Sequence, residues 1–310
     1  MNLSPIALFV YNRPWHTQKT LEALSDNDLA KESTLYIFAD GPKENATAHE
    51  LQKIEETREI IKSKQWCKDV IVSEKEKNIG LADSIISGVT EVVNKHEKII
   101  VLEDDIVTSK GFLKYMNDAL NFYEKEEKVM HISGYMFPVK TLLPPTFFYN
   151  PTSCWGWATW QKAWKHFNND AQYLLTAIDN KALQSRFNIE NSHDFCDQLK
   201  ANADGRLKTW AIKWYASVFI LQGLSLHPFP SLVNNIGMDS SGENCDTSSA
   251  FEWKELGSEV IVKNIKLSES SVARRGMSEF YKNFPGVSNT KPPNKLRSRL
   301  NRILSYIYSK

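Results

Sequence analysis

The 310-residue chain is short of cysteine, and its four cysteines lie far apart. Cys67, Cys154, Cys196 and Cys245 form no CxxC pair. That excludes a zinc ribbon or a disulfide scaffold and points to a reducing compartment. Long apolar runs are missing too: none approaches the ~20 residues of a membrane-spanning helix. The run Ile6–Tyr11 is too short for the apolar core of a secretion signal, and no basic segment precedes it. The expectation is therefore a cytoplasmic protein. An excess of charge of one sign is absent, since 38 Lys+Arg face 37 Asp+Glu, so nothing electrostatic argues for nucleic-acid binding. Neither GxGxxG nor GxxxxGK[ST] occurs, which leaves a dinucleotide site and a P-loop without support. No internal repeat is visible. With 42% hydrophobic and 24% charged residues, the bulk of the chain is ordinary globular protein.

The even charge total conceals a split. Residues 266–310 hold ten basic and two acidic residues, a balance of +8, which leaves 1–265 at −7. A basic tail on an acidic body suggests a separate task for the tail. Within it, Leu296, Leu300, Ile303 and Ile307 follow helical spacing beside Arg297, Arg299 and Arg302. A helix of this kind suits an anionic membrane surface, or equally a docking contact with the body or a second subunit.

The first 135 residues alternate between two periodicities. Continuous apolar runs at Ile6–Tyr11, Thr34–Ala39, Val70–Val72, Ile99–Leu102 and Val129–Ser133 read as buried strands. Helical stretches lie between them: Thr17–Leu24; about 47–64, opened by the capping box Thr47-Ala-His-Glu50 with Leu51, Ile54 and Ile61 inward; Leu81–Val92; and Phe112–Tyr123. Such alternation predicts an α/β fold, a mainly parallel sheet with helices on both faces. From 136 to 265 the alternation fades into a tryptophan-rich segment, a polar stretch over 168–205, an amphipathic helix over Trp210–Leu221 and short strands near Leu224–His227 and Glu259–Val262. The reading is thus 1–135 as a ligand-binding α/β half, 136–265 as the second half of the same domain, and 266–310 as the tail.

Ligands of open parallel sheets bind beyond the carboxyl ends of the strands. Those ends carry Asn12-Arg13-Pro14, Asp40-Gly41-Pro42, Asn78-Ile79-Gly80-Leu81 and Glu103-Asp104-Asp105. A carboxylate triplet at a strand end is able to hold Mg²⁺ or Mn²⁺, which in turn bridges a diphosphate. Arg13 suits a phosphate in a two-pronged contact. Asp40 suits a uracil N–H, or serves only as the first residue of an Asp-Gly turn. Gly80 precedes a helix N-terminus, where anions are favoured.

Taken in order, Phe9–Pro14, Ala39–Gly41, Asn78–Leu81 and Val101–Asp105 resemble the GT-A nucleotide-sugar glycosyltransferases, notably bacterial family-2-like enzymes and, distantly, N-acetylglucosaminyltransferase I. Cys154–Trp160, Trp210–Ser217 and Ser231–Gly237 extend the likeness to roughly residues 4–250. The resemblance implies a GT-A domain and a metal-dependent, inverting transfer of a sugar from a nucleoside diphosphate, UDP foremost. The acceptor would be a glycan or a lipid-linked chain in bacterial surface polysaccharide synthesis, reached at the inner face of the membrane through residues 295–310. Asn12, Arg13, Asp40, Asn78, Gly80, Glu103 and Asp104 would bind the donor, and Asp105 the Mn²⁺ or Mg²⁺. Trp155, Gly156 and Trp157 would line the sugar and acceptor pocket. Two departures stand out. Asn244 replaces the histidine of the family's Asp-Gly-Ser-Gly-x-His-Cys pattern and would be the weaker metal ligand. Ala211-Ile212-Lys213 occupies the helix start where an aspartate serves as base, so Asp204, with Asp239 in reserve, is the candidate base. Two other readings stay open: a nucleotidyltransferase of sugar-nucleotide synthesis, disfavoured by the absence of a glycine-rich first loop, and a non-catalytic sugar-nucleotide-binding relative.

Overall fold

The computed structural model describes residues 3–239 and 249–283. Its elements run β1 (Ile6–Val10), α1 (Pro14–Ser25), β2 (Thr34–Ala39), α2 (Ala48–Lys62), β3 (Asp69–Glu74), α3 (Leu81–His96), β4 (Lys98–Glu103), β5 (Ile106–Thr108), α4 (Phe112–Phe122) and β6 (Val129–Ser133). There follow β7 (Thr146–Tyr149), β8 (Trp157–Trp160), α5 (Gln161–Trp164), α6 (Ala171–Ala177), α7 (Lys181–Phe187), α8 (Phe195–Ala203), α9 (Ala211–Ile220), β9 (Leu224–Pro228), β10 (Val233–Asn235) and α10 (Ser271–Asn283). One eight-stranded sheet has the order β3-β2-β1-β4-β8-β6-β9-β7, and β10 pairs with β5 in a small second sheet. The pairings among β3, β2, β1 and β4 are parallel, as is β6 with β9, while β8 and β7 run against their neighbours. The α/β class and the mainly parallel sheet are as expected.

The central strands are apolar throughout because each face of the sheet carries its own core. Ile6, Leu8 and Val10 of β1, Leu35, Ile37 and Ala39 of β2, and Ile100 and Leu102 of β4 pack in one cluster with Leu21 and Leu24 of α1 and Ile61 of α2. Their alternates Ala7, Phe9, Tyr36, Phe38, Ile99 and Val101 pack on the other face with Ile85, Val89, Val92 and Val93 of α3. Period-two side-chain alternation thus places α1 and α2 on one face and α3 on the other. The sheet order makes this necessary. The chain steps outward from β1 to β2 to β3, then crosses back to lay β4 beside β1, and right-handed crossovers in opposite directions fall on opposite faces. Between the carboxyl ends of β1 and β4 the winding reverses, and this switch point is where open α/β sheets have their ligand crevice.

Several local expectations are corrected. Residues 259–262 form no strand, while β5, β7, β8 and β10 were not anticipated. Leu51 is exposed; Ile54 and Ile61 carry the buried stripe of α2, behind the capping box that Thr47 and Glu50 do form. Ile71 is exposed because β3 is an edge strand. α9 is not amphipathic, since every residue from Ala211 to Phe219 is buried. In the tail, α10 buries Ala273, Met277 and Tyr281, and Tyr281 meets Phe137. The helix expected over 295–310, and Asn244 and Cys245, lie outside the described residues. Among the described residues no helix is long and apolar enough to cross a membrane.

Three buried histidines tie stability to pH. Burial lowers His131 and His193 to about 3 and His227 to about 4, from an ordinary 6.5. Below pH 6.5 the unfolded chain takes up protons that the native chain refuses. Stability is therefore full above that pH and falls as pH drops toward 4. Each histidine contributes up to about 1 kcal/mol per pH unit in that window. Denaturant midpoints that stay constant from pH 7 to pH 5 would contradict this.

Candidate active site

The carboxyl ends of β1 and β4 bring together three of the strand-end residues, Arg13, Asp104 and Asp105. Arg13 caps the start of α1, where Pro14 opens the helix. Its Nη1 donates to Asp105 Oδ2 at 2.7 Å. Asp104 Oδ1 lies 3.7 Å from the same nitrogen, and Asp239 Oδ1 lies 3.7 Å from Nη2. Asp105 is wholly buried and Arg13 nearly so, where ion pairs are little screened by solvent and their removal is felt. Asp105 is fixed from the far side as well: Asn235 Nδ2 donates to its Oδ1 at 3.5 Å, and its carbonyl accepts from Ile236 N at 2.9 Å. Thr20 Oγ1 donates to the Asp104 carbonyl at 2.8 Å. The antiparallel pairing of β10 with β5 (Asn235 opposite Ile106) brings the chain carrying Asp239 back to β4.

His16, in the first turn of α1, completes the cluster. Its Nε2–H donates to Asp239 Oδ2 at 3.1 Å. Burial and the Arg13 charge pull its pKa down, outweighing Asp239 and Asp105, so the ring is neutral at neutral pH. Sequence reading passed over His16, Thr20 and Asn235. The spacing Arg13–His16, one helical turn, was the available signal for the first.

Asp40 and Asn78 are also at the strand ends, with their polar groups engaged in shaping a loop. Asp40 is buried; its Oδ1 accepts from Gly41 N (2.8 Å) and Ile79 N (3.0 Å), and its Oδ2 from Gly80 N (3.0 Å). Asn78 Nδ2 donates to the Gly41 carbonyl at 3.0 Å. The loop so held presents Gly80 as N-cap of α3 at φ +82°, a conformation natural to glycine. Asp40→Ala orphans three backbone N–H groups, and we expect a loss of about 1–3 kcal/mol in urea unfolding; Asp40→Asn, able to accept through one oxygen, loses less. Equal stability for both variants and the parent would refute the bracing role. Asn12 stands half-buried beside Arg13.

Glu103 ends β4, almost fully buried, and its charge reaches the buried Cys154, whose pKa rises first through burial and then through Glu103. Trp155 and Trp157, expected in a sugar pocket, are core residues without exposure. Trp155 packs edge-on to Tyr135 at 4.5 Å, and Trp157 stacks on His131 at 5.3 Å and Trp210 at 5.2 Å. Gly156, between them at φ +61°, makes the turn that separates the two rings onto the two cores. Asp204 is not brought to the cluster: it closes α8 at the surface, half-exposed, with its carboxylate on Arg206 Nε at 2.8 Å. The Arg206 hydrogen bond keeps its pKa below the ordinary value, which weakens it as a base.

Chemically, three carboxylates converge on one cationic group. Among the described residues no group of three or more His, Cys, Asp or Glu side chains is set to hold a metal ion; the cation they face is the Arg13 guanidinium. Their all-oxygen donor set nonetheless matches the preference of Mg²⁺ and Mn²⁺.

No family model and no curated protein matches the chain. Among solved structures it is similar to TarS of S. aureus, with TM-score 0.32 and 18% identity over 56% of this chain and 30% of that one. The chain thus spans less than a third of TarS. It is also similar to the mannosyltransferase PcManGT from Pyrobaculum calidifontis, solved with GDP-Man and Mn²⁺ (TM-score 0.39, 9% identity, 71% and 72% covered). A third similar structure is a UDP-glucose pyrophosphorylase complexed with UDP-glucose (TM-score 0.31, 11% identity, 53% and 79% covered).

Proposed function

We propose that the chain is a GT-A glycosyltransferase that moves a sugar from a nucleoside diphosphate donor to a hydroxyl acceptor with inversion. The carrying observation is the meeting of Arg13 with Asp104, Asp105 and Asp239 in the crevice between β1 and β4. A diphosphate needs positive charge, and the crevice supplies it in two ways. Arg13 offers its guanidinium to the phosphoryl oxygens. Asp105, with Asp104, would hold Mn²⁺ or Mg²⁺, a Lewis acid for the charge that develops on the departing diphosphate. The Gly80 loop, held by Asp40, gives the donor a backbone surface at a helix N-terminus.

Asp239 is the base in this reading. It is partly exposed, beside the crevice, and its Oδ2 is oriented by the His16 N–H. It takes the acceptor proton as the hydroxyl oxygen attacks the anomeric carbon and the bond to the diphosphate breaks. Asp204 is left out on geometry. Surface polysaccharide synthesis, with a glycan or lipid-linked acceptor at the inner membrane face, is the setting proposed from the sequence resemblance.

The test is a thermal-shift screen of UDP- and GDP-sugars with and without Mn²⁺, followed by product analysis. A ligand bound by the native state raises the melting temperature by mass action. The expected result is a manganese-dependent shift with release of nucleoside diphosphate. Formation of a nucleoside triphosphate and a sugar 1-phosphate when pyrophosphate is added to the nucleotide sugar would assign the chain to sugar-nucleotide synthesis, and binding without turnover would assign it to a non-catalytic role.

A further inference from the structure

Of the nine tryptophans, Trp15 alone is exposed, at 57%; seven are buried and Trp253 is half-buried. A large aromatic left in water forgoes the burial that the others obtain. Its place gives it a purpose. Trp15 stands in the first turn of α1, two residues after Arg13. Its ring meets His16 edge-on at 4.9 Å and 87°. Through His16 it continues the row Asp105–Arg13–Asp239–His16 outward to solvent. Arg13, Trp15 and His16 open α1, which packs on one face of the sheet, whereas the Asp40-braced loop that offers Gly80 leads into α3, which packs on the other.

We infer that Trp15 is the platform on which a sugar ring of the acceptor rests, an inference that builds on the transferase reading above. The C–H bonds on one face of a pyranose carry partial positive charge and meet the negative π-face of an indole, as aromatic edges meet aromatic faces. A ring seated on Trp15 would extend its hydroxyls toward Asp239, on the far side of His16. The buried Trp155 and Trp157 cannot take this part, because no face of either reaches solvent. A nucleobase is the other flat ligand of such a site. The observations favour the acceptor, because Trp15 adjoins His16, whose other edge meets the proposed base Asp239.

Acrylamide quenching of tryptophan fluorescence tests this in the full chain. The readily quenched component is assigned to Trp15 by its loss in Trp15→Phe, a substitution at an exposed position. A panel of methyl hexopyranosides and methyl 2-acetamido-hexopyranosides is then titrated in, alongside UDP plus Mn²⁺ as a separate arm. At saturation by a fitting pyranoside, we expect the quenching constant of that component to fall at least about twofold as the sugar covers the exposed ring face. The protecting sugar should bind Trp15→Ala about tenfold more weakly, as followed by saturation-transfer NMR. Protection by UDP with none by any pyranoside would overturn the inference in favour of a nucleobase platform. Protection by neither would overturn it outright. Nucleotide-sugar turnover with no pyranoside protection would leave the transferase reading standing and this inference refuted. Failure of the donor screen, by contrast, removes the transferase reading itself.

Discussion

Asp105→Asn is expected to abolish the manganese-dependent part of donor binding and to lower sugar transfer by at least about a hundredfold, since a metal contributes several kcal/mol to a phosphoryl leaving group. The substitution is nearly isosteric. The amide oxygen still accepts from Arg13, so the buried guanidinium keeps a partner there as well as Asp104 and Asp239 at 3.7 Å. The new amide NH2 then faces the Asn235 Nδ2, donor against donor, so stability should fall by about 1 kcal/mol, and the manganese dependence of the shift, not the melting temperature itself, reports the metal role. Asp105→Ala adds a missing hydrogen-bond acceptor for Arg13 and Asn235. Its stability loss stays below the roughly 3–5 kcal/mol of a fully broken buried pair because the neighbouring carboxylates remain. Melting curves with UDP-sugar, with and without Mn²⁺, decide the matter. An undiminished manganese-dependent shift in Asp105→Asn would show that the ion is held elsewhere or is not held.

Trp157→Ala should cost about 3–5 kcal/mol, the usual penalty for deleting a large buried aromatic. The indole stacks between His131 and Trp210 and also touches Trp164 at 5.8 Å. Its Nε1–H has no hydrogen-bond partner among the described residues. Trp157→Phe thus removes area rather than a bond and should be milder. Urea unfolding measures both. Donor binding by the folded Trp157→Phe protein should stay near the parent's; a loss beyond about tenfold would restore Trp157 to the pocket.

The fate of Trp157 shows where sequence reading succeeds and where it fails. β1, β2 and β4 were legible because each is buried on both faces and so is apolar without interruption. The crevice was legible in turn because polar residues follow those runs at once. β8 left no such mark. Trp157-Ala-Thr-Trp160 is four residues long, too short for a period to emerge, and its aromatic content suits a sugar pocket as well as a core. What assigns it to the core is pairing with β4 on one side and β6 on the other, a contact between distant segments that no local pattern announces. Asp239 gained its place for the same reason, through β10 and β5. Asp204 lost its place because one neighbour, Arg206, claims it. The exposure of Trp15 was likewise invisible, since Trp15 begins a helix whose apolar stripe lies at Leu21 and Leu24. α10 could have been found: Ala273, Met277 and Tyr281 recur every fourth residue.

The wedging of β8 between β4 and β6 also governs how the chain can be divided. A fragment ending at residue 135 would contain β4 and β6 but neither β8, which joins them, nor β9, leaving β4 with a bare edge and β6 without a neighbour on either side. Such edges recruit other chains. Expression of the amino-terminal half alone should yield aggregate rather than an independent nucleotide-binding unit, whereas supplying residues 136–239 in trans offers the missing strands.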